Sequence, residues 1–148
     1  MSQDDDILWL YLARASSGVD GTIELKASAD RIDRANADRL DRLNAYRALS
    51  RDLRFNTWPP LLPIPRDPVI RMYLGELTSD EVFEMVGGKV RSPRGLCRFH
   101  LFYAELLLSQ PGDDRRRETA SLQQALKVCN PNDLYYQFAG SELKRLGQ

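Results

Sequence analysis

Three side chains that could bind a metal or carry out redox chemistry lie within one stretch of the sequence. They are Cys97, His100 and Cys129, which are the only cysteines and the only histidine of the chain. A helix would place Cys97 and His100 on the same face, because they are three residues apart. Thiolates and imidazoles bind zinc, so a three-ligand metal site is one interpretation. A fourth ligand and a second close-spaced pair are missing from the sequence, so we prefer a packing or hydrogen-bonding role for His100.

Two antiparallel helices joined by a tight turn at residues 110–113 are predicted between Ser92 and Pro131. Ser92 followed by Pro93 is typical of a helix start, because serine caps free N–H groups and proline lacks one. Apolar residues then recur with helical spacing on both sides of the turn. They are Leu96, Phe99, Tyr103, Leu106 and Leu107 before the turn, and Leu122, Ala125, Leu126 and Val128 after it.

The predicted hairpin brings the two cysteines to a similar level. Cys97 lies about as far before the turn as Cys129 lies beyond it. A disulfide between them would close a long loop and stabilise the fold. For a cytoplasmic chain we expect two reduced, buried thiols instead, with the disulfide as the alternative.

Parts of this hairpin resemble one tetratricopeptide repeat, a helix-turn-helix of about 34 residues. The matching residues are Phe102-Tyr103-Ala104-Glu105, Gly112-Asp113, Leu122-Gln123-Gln124-Ala125-Leu126 and Asn130-Pro131. Residues 8–15, and Trp58-Pro59 followed by residues 69–78, are similar to further parts of bacterial tetratricopeptide-repeat proteins, toward the C-terminal end and including the periplasmic lipoprotein kind. The resemblance leaves out roughly residues 30–57. It implies an all-α fold of antiparallel helical hairpins in a tetratricopeptide-repeat-like, right-handed stack.

The sequence before the proline-rich stretch predicts two more helices. The first spans Asp4–Ser16 and is apolar nearly all round, so it should be well buried. The second is either one long helix from about 21 to 54 or two helices with a break near Asn36. Its predicted apolar stripe consists of Leu40, Leu43, Leu49 and Leu53.

Aspartate and arginine alternate in pairs along this second helix. The pairs are Asp30-Arg31, Asp33-Arg34, Asp38-Arg39 and Asp41-Arg42. Arg34 and Asp38 are four residues apart, as are Asp38 and Arg42, so they can form ion pairs of about 0.2–0.5 kcal/mol each along one face. We interpret the pattern as a solvent-exposed face, and a docking surface for a charged partner is the alternative.

Five of the eight prolines lie in residues 56–68, which excludes a helix there. Pro60 and Pro63 have the PxxP spacing of extended ligands, but we expect a rigid connector. Its apolar side chains should pack on the helices, and they are Trp58, Leu61, Leu62 and Ile64. A helix opening at Asp67-Pro68, a short helix with a capping box at Thr78 and Glu81, and a last helix after Asp133 complete the prediction.

We therefore expect a single helical-repeat domain over residues 1–148. Its parts are an N-terminal hairpin at 4–55, the connector at 56–67, and a repeat with a capping helix at 68–148. The chain has 21 basic and 21 acidic residues, so its net charge does not indicate a nucleic-acid partner. It has no apolar stretch long enough to span a membrane. With no signal peptide it is expected in the cytoplasm, or in the periplasm if it is a fragment of a longer exported protein.

The predicted function is that of a protein–protein interaction module without catalysis or cofactor. The resemblance implies a concave face that binds a peptide or a partner helix. The candidate binding residues are Arg94, Arg98, Phe99, Phe102 and Tyr103. Open apolar ends also make a homodimer possible, through the first helix or the long charged one. The alternatives are a metal-binding or enzymatic domain that uses Cys97, His100 and Cys129, and the end-cap of a longer repeat protein with a structural role only.

Overall fold

A computed structural model describes residues 3–49, 60–87, 92–110, 112 and 114–147. In these ranges the chain forms seven helices and no strand, which confirms the all-α prediction. The helices are α1 (Gln3–Ser16), α2 (Thr22–Leu49), α3 (Pro68–Tyr73), α4 (Ser79–Gly87), α5 (Pro93–Ser109), α6 (Arg115–Val128) and α7 (Leu134–Arg145). Within the described ranges no helix is long and apolar enough to cross a membrane.

Several helices begin where the sequence predicts a cap. The Asp67 carboxylate accepts hydrogen bonds from the backbone N–H groups of Val69 and Ile70, and the Ser92 hydroxyl accepts one from Gly95. The Thr78–Glu81 capping box also forms, since Glu81 accepts from the Thr78 N–H at 2.7 Å and the Thr78 hydroxyl accepts from the Glu81 N–H at 3.2 Å. These caps fix the starts of α3, α4 and α5.

The helix α5 lies at the centre of the fold and contacts α1, α3, α4, α6 and α7. Its Phe102 is fully buried, and the Phe102 ring contacts those of Trp9, Tyr73 and Tyr135. The Tyr73 hydroxyl donates a 2.7 Å hydrogen bond to the Phe102 carbonyl. Aromatic side chains from α1, α3 and α7 therefore converge on one residue of the central helix.

The prediction that the first helix is well buried holds for most of its apolar residues but not for Leu10. Leu8 and Leu12 are buried, but Leu10 is half exposed. The helix contacts α2 and α5, and neither partner covers the side that carries Leu10. A helix with partners on only part of its circumference leaves its remaining apolar residues in water.

The second helix is continuous from Thr22 to Leu49, so there is no break at Asn36. Its first turns bury Leu25 and Ala29 in the core. The predicted apolar stripe does not form farther along, because Leu43 and Leu49 are exposed. Leu40 is half-buried, and Leu53 lies outside the described residues.

The connector follows α2 in an extended conformation over residues 60–67. The Asn44 side chain makes two hydrogen bonds to the backbone of Leu61, and Arg66 forms ion pairs with Asp30 and Asp33. These polar contacts hold the connector, and its apolar side chains therefore point into solvent. Leu62 is 81% exposed, Ile64 is 71% exposed and Leu61 is also exposed, so the prediction that they pack on the helices was wrong. Trp58 lies outside the described residues.

Candidate functional site

An open groove of about 300 Å³ lies between α4, α5 and α6, and we call it the aromatic groove. Its lining residues are Ser79, Asp80, Phe83, Phe99, His100, Tyr103, Arg117, Ala120, Ser121 and Gln124. The volume is at the lower end of the range of ligand-binding clefts. The groove has α4 and α6 as its walls, because both helices pack against α5.

Stacked aromatic rings form the floor of this groove. The rings of Phe99 and Tyr103 lie 5.6 Å apart with an angle of 8° between their planes. The Phe83 ring lies 5.8 Å from the Phe99 ring and 5.9 Å from the His100 ring. Phe83 is 43% exposed. Rigid aromatic surface open to solvent is the usual anchor point for an apolar side chain of a partner.

A serine and a histidine meet at one wall of the groove. The Ser121 hydroxyl donates to the His100 carbonyl at 2.8 Å and lies 3.4 Å from His100 Nδ1. Burial lowers the pKa of His100, so its imidazole is neutral at pH 7. Because the hydroxyl proton is directed at a backbone carbonyl, the imidazole is not placed to remove it, as a nucleophilic serine requires. No motif of the sequence pointed to Ser121, although it lies next to Leu122 and four residues before Ala125, on the helix face that is buried against α5.

The two helices that flank α5 contribute side chains of opposite charge to the rim of the groove. Asp80 is exposed at the start of α4, and Arg117 is exposed in the first turn of α6. Arg117 makes only a 3.5 Å contact with Asp114, so its guanidinium remains largely available to a ligand. The exposed Gln124 side chain adds an uncharged hydrogen-bonding group at the same rim.

The structure brings together only two of the five predicted binding residues. Phe99 and Tyr103 line the aromatic groove. Phe102 is fully buried in the core, and Arg98 is 13% exposed and turned toward α1 and Asp67. Arg94 lies at a different cavity, beside the two cysteines. Because other helices surround α5, the five residues do not share one face. They lie at the aromatic groove, in the interior and beside the disulfide.

Arg98 belongs to a buried polar cluster that joins distant segments. Its guanidinium pairs with Asp5 at 2.5 Å and with Asp67 at 2.8 Å. The Tyr135 hydroxyl donates a 2.6 Å hydrogen bond to the other oxygen of Asp5, and Asp5 is 1% exposed. Burial and this bond raise the pKa of Tyr135 well above its usual value. The cluster holds α1, α5, α7 and the start of α3 in place.

The two cysteines are joined, so the expectation of reduced thiols was wrong. The sulfur atoms of Cys97 and Cys129 lie 2.07 Å apart and the Cα atoms 4.8 Å apart, which is the geometry of a disulfide. The start of α5 therefore lies beside the end of α6. A disulfide has no thiolate to offer a metal, so the alternative site with His100 would need reduction first. No group of three or more metal-binding side chains occurs in the part of the chain that the structure describes.

The carboxyl group of Glu105 makes stability depend on pH. Burial, together with the Glu142 carboxylate of α7, raises its pKa from 4.5 to about 7, and Arg145 of α7 and Glu118 of α6 also face it. The folded protein binds this proton more tightly than the unfolded chain, so this contribution to stability is complete below pH 4.5 and is lost as the pH rises through about 7. We expect Glu105→Gln to be more stable than the wild type by roughly 1–3 kcal/mol at alkaline pH.

Urea denaturation at a series of pH values measures this effect. The curve of stability against pH should be flatter for Glu105→Gln than for the wild type between about pH 5 and 8. The matched control is Glu84→Gln, because Glu84 is an exposed glutamate on α4. Parallel curves for the wild type and Glu105→Gln would contradict the assignment.

Comparison with known proteins adds nothing to this picture, because no protein-family model, curated protein or solved structure matches the chain. The resemblance to tetratricopeptide repeats therefore stays a prediction that depends on the quoted residues alone.

Proposed function

We propose that this protein is an interaction module that binds an apolar side chain of a peptide in the aromatic groove, without catalysis. The observation that carries the proposal is the aromatic floor of a groove of about 300 Å³, formed by the exposed Phe83, the half-buried Tyr103 and the buried Phe99. A cleft of this size accepts one or two side chains of a bound segment. Most of the binding free energy would come from burying those side chains on the rings.

The two charges at the rim suggest the chemistry of the bound peptide. An acidic residue on one side of the apolar anchor would meet Arg117, and a basic residue on the other side would meet Asp80. Rim charges of this kind contribute more to orientation and specificity than to affinity. The ligand class is therefore a peptide with a large apolar residue between an acidic and a basic residue.

We also propose that the antiparallel hairpins are tetratricopeptide-like and that the protein is a bacterial scaffold protein. The position of the groove agrees with this proposal. Phe99 and Tyr103 are on α5, the first helix of the predicted hairpin, and repeat proteins of this kind bind peptides with such helices. The disulfide between Cys97 and Cys129 closes the hairpin at the end opposite its turn. We propose that the chain functions in an oxidising compartment such as the bacterial periplasm, since disulfides persist there.

A library of displayed peptides, selected on the purified oxidised protein, tests this function. We expect enrichment of aromatic or long aliphatic anchors with the flanking charges described above. Affinity for an enriched peptide should fall at least about tenfold in Tyr103→Ala, because truncation of an aromatic hot-spot residue costs about 2 kcal/mol or more. Tyr46→Ala, which removes an exposed tyrosine of α2, should bind like the wild type.

A second variant tests the orientation of the peptide. Arg117→Glu changes the sign of one of the two rim charges, at an exposed position where the fold should not suffer. The selection should then shift from an acidic to a basic residue at the adjacent peptide position. Absence of any enriched peptide, or equal binding to the wild type and Tyr103→Ala, would overturn the proposal.

A further inference from the structure

One row of side chains along α2 faces away from the core. The exposed residues of this row, which we call the outer stripe, are Ile23, Ala27, Arg31, Arg34, Asp38, Asp41, Ala45 and Leu49. They follow each other at intervals of three or four residues, so they lie on one face of the helix. Ala27 and Ala45 are separated by about five full turns, and Asn36 lies midway between them on the opposite, half-buried face.

The outer stripe has an internal symmetry about Asn36. Arg34 and Asp38 are each two residues from Asn36, and Arg31 and Asp41 are each five residues from it. Ala27 and Ala45 are each nine residues away, and Ile23 and Leu49 are each thirteen. Reversal of the chain direction about Asn36 therefore exchanges positive with negative charge, alanine with alanine, and one large aliphatic residue with another.

We propose that two copies of this protein form a dimer in which their α2 helices pack antiparallel along the outer stripe, with the two-fold axis between the helices at the level of Asn36. In a two-fold interface, residue i of one copy meets residue j of the other and j meets i. An antiparallel pair centred on Asn36 places Arg34 opposite Asp38 and Arg31 opposite Asp41. It places Ala27 opposite Ala45 and Ile23 opposite Leu49. Each of these contacts occurs twice, so the surface is complementary to itself.

The state of these side chains within one copy supports a second copy as the partner. Arg34, Asp38 and Asp41 form no ion pair within the described part of the chain, so the intrahelical Arg34–Asp38 and Asp38–Arg42 pairs allowed by the sequence are not formed. Ile23 is 78% exposed and Leu49 is 83% exposed. A second copy would pair the charges and cover both aliphatic ends.

The small residues of the outer stripe suit close contact between helices. Ala27 and Ala45 lie between the charged centre and the aliphatic ends, where their short side chains let two helix backbones approach. Two other carboxylates of α2 lie outside the outer stripe and are used within each copy, because Asp30 and Asp33 form ion pairs with Arg66. A single pair of helices buries a small area, so we expect a weak dimer that salt dissociates.

Charge exchange between chains tests the register of this dimer. Arg34→Asp places like charges opposite each other at two symmetric contacts, and Asp38→Arg does the same with the opposite sign. We expect each variant alone to dimerise at least about a hundredfold more weakly than the wild type, because apposed like charges are strongly unfavourable. An equimolar mixture of the two variants should recover dimers, since every contact then joins opposite charges.

Sedimentation equilibrium of the wild type, the two variants and their mixture measures these dissociation constants, with circular dichroism to check that each chain folds. Arg39→Asp is the matched control, because Arg39 is an exposed arginine of the same helix outside the outer stripe. It should dimerise like the wild type. A monomeric wild type at millimolar concentration, or a mixture that stays monomeric, would overturn the proposal, whatever the result for peptide binding in the aromatic groove.

Discussion

Replacement of Arg98 by alanine should lower the free energy of unfolding by about 3–5 kcal/mol. The change leaves the carboxylates of Asp5 and Asp67 without their shared cation, and Asp5 is almost completely buried. It also removes the contact of the guanidinium with the Phe102 ring, 5.5 Å from its centroid. Urea denaturation followed by circular dichroism gives the value. The matched control is Arg94→Ala, since Arg94 is an exposed arginine one turn earlier on α5.

A second variant separates an unpaired buried charge from lost packing. Removing all the charges of the cluster with Arg98→Met, Asp5→Asn and Asp67→Asn leaves no ionised side chain within it. Asparagine at 5 can still accept the hydrogen bond from Tyr135, and asparagine at 67 can still cap α3. We expect this triple variant to be more stable than Arg98→Ala, because neutral replacements avoid an uncompensated charge. If the triple variant and Arg98→Ala were equally stable, the stability lost in Arg98→Ala would come from packing instead.

Removal of the disulfide should cost about 2–4 kcal/mol of stability. Cys97 and Cys129 are 32 residues apart in sequence, and their link restricts the unfolded chain over the whole α5–α6 segment. The double variant Cys97→Ala with Cys129→Ala measures this cost by urea denaturation, and alanine adds no buried polar group at these two buried positions. We expect the double variant to be less stable whether the disulfide stabilises the protein through entropy or through enthalpy.

Two controls accompany the disulfide prediction. A reducing agent should destabilise the wild type and leave the double alanine variant unchanged. Mass analysis after alkylation in denaturant should find no free thiol in protein that was prepared without reductant. Free thiols at both positions, or equal stability of wild type and double variant, would show that the link does not stabilise the protein.

Local features of the sequence predicted the helices well. The caps at Asp67, Thr78 and Ser92 determine three helix starts, because each depends on side chains within a few residues of the backbone groups that they satisfy. The continuous α2 was one of two predicted alternatives. Because a cap depends only on neighbouring residues, it can be predicted from a single sequence.

Contacts between distant segments could not be predicted in the same way. Arg98 was assigned to a binding face, yet it pairs with Asp5, which is 93 residues away in sequence. The connector was expected to bury its apolar side chains, but Asn44 and Arg66 determine its orientation through polar contacts with residues far along the chain. Of the aromatic groove, the sequence indicated Phe99 and Tyr103, while Phe83 and Arg117 come from helices whose relative position no local pattern determines.

The buried carboxylate of Asp5 places a constraint on the order of events during synthesis. Its partners Arg98 and Tyr135 follow it by 93 and 130 residues, so both are made later than α1. At ribosomal rates of about 5–20 residues per second, roughly 7–26 seconds pass between the synthesis of Asp5 and that of Tyr135. The packing of α1 can begin against α2, which is made directly after it, but it is complete only once α5 and α7 have been made. The buried environment of Asp5 is therefore among the last parts of the native structure to form during synthesis.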